Sequence, residues 1–171
     1  MKKIFFLVIM TIMTLTASAQ TDNQVAPKGP QLEFVMQLKV TLDKAYSVGE
    51  TPRGRRTIIP ITGGTFEGPN IKGTIVPGGA DYQMANGGRT EIEAIYCIKT
   101  DDCFYIHIRN CGIIRTGNSA DGRPSFYFKC APKFEAPADS KYNWLNNSIF
   151  VCEPSMGGQF NGIVLNVWEV K

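Results

Sequence analysis

From Leu32 to Leu42 apolar and polar positions alternate almost without a break. Leu32, Phe34, Met36, Leu38, Val40 and Leu42 fall on one side. Glu33, Gln37, Lys39 and Thr41 fall on the other, joined only by Val35. Side chains of a strand point to opposite faces in turn, so this spacing predicts a long strand with one buried face. The loop Asp43 to Gly54 follows, and then a β-branched strand from Arg56 to Ile61, which Pro60 places at an edge or a bulge. Gly63-Gly64 permits a sharp bend. Phe66 to Ile75 reads as a hairpin turning near Gly68-Pro69-Asn70, ended by Pro77-Gly78-Gly79.

The segments Thr90 to Lys99 and Cys103 to Asn110 form the most informative hairpin. A three-residue loop, Thr100-Asp101-Asp102, sets Lys99 opposite Cys103 and Glu93 opposite Arg109. Ile92, Ala94, Tyr96 and Ile98 then share a face with Phe104, Ile106 and Ile108. A two-residue loop would mix charged and apolar side chains on both faces, and a buried face does not tolerate that slip. Thr116 to Pro124 is a polar loop and Ser125 to Cys130 an aromatic strand. Pro132 to Ser140 is a connector, with a short helical turn near Tyr142 to Asn147. Ile149 to Cys152 and Gly162 to Val170 complete the strands. Eight to ten strands, joined mostly by Gly- and Pro-rich turns, predict an all-β fold. Consecutive hairpins with one apolar face favour an antiparallel up-and-down β-barrel of the lipocalin or calycin kind, which leaves no sheet edge exposed. A barrel of this size can enclose one small ligand.

The first residues follow another pattern. Met1-Lys2-Lys3 is basic, Ile4 to Leu15 is apolar apart from threonines, and Ala17-Ser18-Ala19 supplies small residues before Gln20. This reads as a bacterial-type signal peptide over residues 1–19, cleaved after Ala19 and directing export to the periplasm or the medium. The apolar run is short of the ~20 residues that span a bilayer. Residues 20–31 read as a flexible lead-in and 32–171 as a single barrel domain, with no transmembrane segment in the mature chain.

Charge narrows the partners. Of 18 basic residues, removal of Lys2 and Lys3 leaves 16 against 15 acidic ones, a net charge near +1. A nucleic-acid partner would call for a strongly basic surface and is not expected. Five cysteines (Cys97, Cys103, Cys111, Cys130 and Cys152) leave at least one thiol unpaired in a monomer. Export permits disulfides, and the spacings resemble no redox or zinc motif, so no metal and no cofactor is predicted. The reading favoured for these cysteines is small buried fillers, with room for one bridge and with the pairing left open. His107, the one histidine, falls on the polar face beside Arg109, which argues against a Ser-His-Asp triad.

Several motifs in order resemble a known family. Gly54-Arg55-Arg56 leads through Ile61-Thr62-Gly63-Gly64 into Phe66-Glu67-Gly68-Pro69; Gly73 and Pro77-Gly78-Gly79-Ala80-Asp81 follow. Glu93-Ala94-Ile95-Tyr96, the Asp102 turn, Gly112 with Arg115, Phe126-Tyr127-Phe128, Tyr142-Asn143-Trp144-Leu145-Asn146 and Val167-Trp168-Glu169-Val170 complete the series. From about Leu32 to the C-terminus the chain resembles the domain of unknown function 3237 family, also called uncharacterised protein family 0311. That resemblance implies a lipocalin-like barrel and carries no assigned activity. Tyr82 stands where the family often has Trp, and Asp102-Cys103 where its turn usually reads Asp-Gly. An export signal is not a usual family feature.

Candidate chemistry rests on a few side chains. Asp81 follows three small residues at a strand end and is a candidate general base, or a turn-forming carboxylate. Arg115 is a candidate clamp for a carboxylate or enolate oxygen, or an exposed loop charge. Tyr96 on the apolar face needs a partner for its hydroxyl. Tyr127, between two phenylalanines, faces either the surface or an aromatic cavity. Tyr142 and Trp144 are core or rim aromatics, and Arg56 belongs to a basic cluster with Arg53 and Arg55. The leading expectation is a barrel that binds a small, partly apolar ligand through Tyr96, Tyr127, Tyr142, Trp144 and Arg56. The alternative is a cofactor-free lyase, isomerase or lactone hydrolase, in which Asp81 and Arg115 act on a small oxygenated substrate. The third is an envelope interaction domain, and a homo-oligomer is compatible with each.

Overall fold

The computed structural model describes residues 26–171; the expected signal peptide lies outside them. The chain forms β1 (Leu32–Leu42), β2 (Tyr46–Thr51), β3 (Gly54–Glu67), β4 (Lys72–Ile75), β5 (Ala80–Asn86), β6 (Arg89–Thr100), β7 (Tyr105–Asn118), β8 (Pro124–Glu135), β9 (Phe150–Met156) and β10 (Gly162–Val170), with one 3-10 turn, Asn143–Asn147. The strands pair in the order β1-β10-β9-β8-β7-β6-β4-β3-β2; β5 lies between β3 and β6, and β1 pairs β3 to close the ring. β1 and β2 follow each other along one side of β3, as β4 and β5 do along the other. Each couple occupies one strand position, so the molecule is a closed eight-stranded antiparallel barrel. Both couples break near Pro60, whose carbonyl accepts a bond from the Asp43 amide while the Ile61 amide donates to Gly79. A proline offers no ladder donor, which suits it to this handover.

One end of the barrel is packed and the other is open. Met36, Leu38, Ile98, Ile106, Ile108 and Phe150 are fully buried around the closed end. The ring of Phe150 meets Phe134 edge to face at 4.9 Å and Trp144 at 6.0 Å. Each such side chain taken from water contributes about 1.5–3 kcal/mol. Along β8 the inward residues lose cover step by step: Phe134 is 2 % exposed, Cys130 5 %, and Phe126 at the far end 69 %.

Three local features depart from the alternation pattern. A bulge between Phe34 and Met36 buries both Val35 and Met36 and turns Leu32 and Phe34 outward, where Phe34 meets Trp168. In the β6–β7 hairpin Lys99 pairs with Tyr105, not Cys103, because the turn runs from Thr100 to Phe104. Thr100 Oγ1 caps it by accepting from the Phe104 amide at 2.9 Å, and Cys103 takes a left-handed φ of 70°. A slip of two residues keeps every side chain on its expected face. Glu93 now sits opposite Cys111, yet Arg109 still reaches it diagonally at 2.6 Å. Finally, β2 forms inside the expected loop, β5 follows the Gly-rich stop, and β8 runs on through Pro132 to Glu135. The lead-in ends pinned, since Gln31 and Lys171 exchange two backbone hydrogen bonds.

Candidate functional site

Residues paired across a ladder share a face, so register decides which candidates can meet. Asp81 pairs with Ala94, and Ala94 with Asn110, placing all three in one inward row across β5, β6 and β7. Ala94 is the small residue between two polar ones. Asp81 Oδ2 accepts from Gln83 Nε2 at 2.7 Å. Asp81 Oδ1 and Asn110 Oδ1 are shut off from solvent, and no protein donor reaches either. Burial lifts the Asp81 carboxyl above its ordinary range, against the opposing pull of the Gln83 amide and a Glu93 backbone group. Tyr96 lies inward on β6, 4 % exposed, and burial raises its phenol, with Cys152 and Cys130 adding to the effect.

The opposite face of the sheet carries the larger feature. Between the β2–β3 tip and Trp168 the outer surface sinks into a depression of about 910 Å³. That volume lies within the range of small-molecule sites. Its charged side chains are Arg53, Arg56, Arg89, Glu91, Glu93, Arg109, Lys129 and Glu153. Three ion pairs, Arg89–Glu91, Arg109–Glu93 and Lys129–Glu153, use all three carboxylates. Arg53 and Arg56 form no ion pair among the described residues. Their field reaches Glu91, whose carboxyl is held low first by its hydrogen bond from Arg89 and also by these two guanidiniums. Tyr82, Met84, Tyr127, Val151 and Trp168 supply apolar wall.

The expected candidates therefore separate into three places. Asp81 and Tyr96 face the interior. Arg56 and Tyr127 line the outer depression, and Arg115 stacks its guanidinium 4.8 Å from the centroid of the Tyr127 ring. Arg115 pairs with Arg89 and Tyr127 on the outward face, so the structure does not bring it together with Asp81. Tyr142 and Trp144 belong to the closed end. The Tyr142 hydroxyl donates to Asp102 Oδ1 at 2.8 Å, Lys141 pairs with the other oxygen at 2.9 Å, and the Tyr142 ring meets Phe104. These bonds, with that from Lys141 first, hold the Asp102 carboxyl well below its usual range. Trp144 packs on Phe150. Both aromatics close the barrel and stand away from the depression. His107 faces outward, 3.7 Å from Glu135.

Glu93, Arg109, Met84 and Trp168 complete the depression and were not among the expected site residues. The available signal was aromatic and paired-charge residues on the face that alternation assigns to solvent. At the floor Cys130 stands opposite Cys152, and contact with Cys152, then burial, pushes the Cys130 thiol up.

Comparison with known proteins finds relatives along most of the chain. A family model described as "Protein of unknown function (DUF3237)" matches residues 30–170. A UPF0311 protein of Clostridium acetobutylicum is 36 % identical over 132 residues, covering 70 % of this chain and 82 % of that protein. The crystal structure of a β-barrel-like protein from Acinetobacter baumannii superposes with a TM-score of 0.74 at 31 % identity, covering 86 % of this chain and all of that one. A protein of Penicillium herquei named a hydroalkoxylation enzyme is 27 % identical over 160 residues, 94 % of this chain and 97 % of its own length. The crystal structure of an enzyme from the same fungus superposes with a TM-score of 0.64, at 27 % identity over 85 % of this chain and 97 % of that one.

Proposed function

The chain belongs to the DUF3237 family, and from that premise we propose that it binds a small, partly apolar anion in the outer depression of its barrel. One observation carries the reading: Arg53 and Arg56, without ion-pair partners among the described residues, stand over a concave surface walled by Tyr82, Tyr127 and Trp168. A guanidinium recognises a carboxylate or phenolate by paired hydrogen bonds, and the aromatic wall accepts the rest of the molecule. The basic start, short apolar run and Ala17-Ser18-Ala19 support a working place outside the cytoplasm. Exported protein beginning at Gln20 by intact mass is the expected result; a retained Met1 overturns that part.

The binding test uses two dyes that differ by a charge. The anionic 1-anilinonaphthalene-8-sulfonate should bind saturably, and its neutral analogue N-phenyl-1-naphthylamine more weakly. A charged hydrogen bond contributes about 1.5–3 kcal/mol. Arg56→Ala should therefore weaken the anionic dye by roughly ten- to a hundredfold and leave the neutral one nearly unchanged. Equal binding of both dyes to the wild type refutes recognition of an anion.

Turnover without a cofactor is a second reading, favoured by the likeness to the fungal hydroalkoxylation enzyme. Such a reaction adds an O–H across a C=C. The hydroxyl proton leaves to a carboxylate, the oxygen bonds to one carbon, and a proton is returned to the other. In the depression Glu93 is the carboxylate placed for this, with Arg109 at 2.6 Å to orient it. Conversion of 2-allylphenol to its cyclic ether, lost in Glu93→Gln, would support turnover. Equal rates with the wild type and in protein-free buffer would dismiss it.

A further inference from the structure

The barrel has one weak seam. β8 and β9 are joined in the ladder at a single position, Cys130 opposite Cys152, whereas β7 and β8 pair continuously from His107–Glu135 to Asn118–Pro124. Above Cys130 the aromatic half of β8 parts from β9, which leaves Phe126 and Met156 exposed at the open end. On the outward side only the Lys129–Glu153 ion pair crosses at this level. On the inward side lie the two thiols, 5 % and 2 % exposed.

Everything about that position suits a covalent cross-link. Residues directly opposite in an antiparallel pair have Cα atoms about 4.5–5.5 Å apart. A disulfide spans about 4.4–6.8 Å, so no strand has to move. Both side chains point to the same side of the sheet, and neighbouring Gly112 leaves the space a sulfur needs: a Cβ there would come within 2.5 Å of Cys130 Sγ. No other cysteine among the described residues has such a partner. Cys97 faces His107 and Cys111 faces Glu93 on the outer surface, and Cys103 sits in the turn at the closed end.

We propose that Cys130 and Cys152 form a disulfide that closes the β8–β9 seam. Two S–H bonds break and one S–S bond forms. The S–S bond of an external disulfide, low-molecular-weight or protein, breaks in exchange, and it takes up the two electrons and the two protons and leaves as two thiols. This goes beyond ligand binding and does not depend on it. The odd cysteine count is then explained as one bridge and three thiols.

The mature chain is unfolded in reductant, refolded in a glutathione redox buffer, quenched with N-ethylmaleimide in denaturant and weighed. Three adducts are expected, rising to five after reduction, with a Cys130–Cys152 linked peptide in a non-reducing digest. The bridge should raise the thermal midpoint by on the order of 10 °C over the reduced protein. That difference should vanish in Cys130→Ala/Cys152→Ala, and in Cys152→Ala alone all four remaining thiols should take an adduct. Five adducts on refolded wild type, or a linkage through Cys97, Cys103 or Cys111, overturns the proposal. Export plays no part in this experiment, so its outcome is separate from the question of compartment.

Discussion

Replacing Gly79 by alanine tests how tightly the junction between β4 and β5 is seated. A Cβ at Gly79 would lie 2.5 Å from the Ile95 carbonyl oxygen, 2.5 Å from Tyr96 Cβ and 2.9 Å from Tyr96 Cα. Ordinary contacts begin near 3.4 Å, so the shortfall is about 0.9 Å. None of these atoms is the end of a side chain that can swing away. The junction must lift off β6, with Asp81 two residues on and Tyr82 three residues on. Overpacking of this kind costs about 1–3 kcal/mol, and rigid opponents put Gly79→Ala near 3. For a domain of this length that lowers the melting temperature by roughly 6–12 °C. Gly117→Ala is the control, because no atom lies within 4 Å of its added Cβ and its φ is not left-handed. There the loss of unfolded-state entropy should stabilise the protein by about 0.4–1 kcal/mol. Urea melts of both variants read the contrast. If Gly79→Ala unfolds at the wild-type midpoint, the close approach is not real and the reasoning fails.

Other outcomes follow from single contacts. Phe150→Ala removes the ring packed between Phe134 and Trp144 at a site 1 % exposed, and should cost about 3–5 kcal/mol in urea unfolding. Asp81 has a folded pKa above its ordinary 3.8. Its stabilising contribution is therefore full at low pH and is lost as pH rises through the folded value. Asp81→Asn should melt above wild type at neutral pH, and the gap should narrow on acidification; a gap independent of pH contradicts this. Asp102 is the reverse case, its pKa held below 3.8 by Lys141, Thr100 and Tyr142. What it contributes is present above that pH and fades as pH falls through the lower folded value, so Asp102→Asn should flatten the acid limb of a melting-temperature profile.

Much of the fold was legible because apolar alternation is a local signal. β1 and β10 have the bounds that their spacing predicts, and the faces of β6 and β7 are as expected. What failed was of two kinds. Where turn hydrogen bonds compete with alternation, faces survive and register does not: Thr100 and Phe104 extended the β6–β7 turn by two residues. Where polar side chains satisfy one another, they can take the inward face: β5 points Asp81 and Gln83 inward, bonded to each other, and buries Met84 outward, under the depression. The bulge at Phe34–Met36 inverted β1 over its first residues. For the candidate site, the family-like motifs include several segments that line the depression, and only the three-dimensional register sorts their faces. Arg56 on β3 and Tyr127 on β8 line one depression, whereas Asp81 and Tyr82, adjacent in sequence, lie on opposite faces.

The shared break beside Pro60 bears on how such a protein diversifies. It sets the β2–β3 tip and β5, which carry Arg53, Arg56, Tyr82 and Met84, apart from the packed end that holds the molecule together. Substitutions in that tip change the wall and charge of the depression while the closed core keeps its packing. Change in that tip therefore carries little risk to folding.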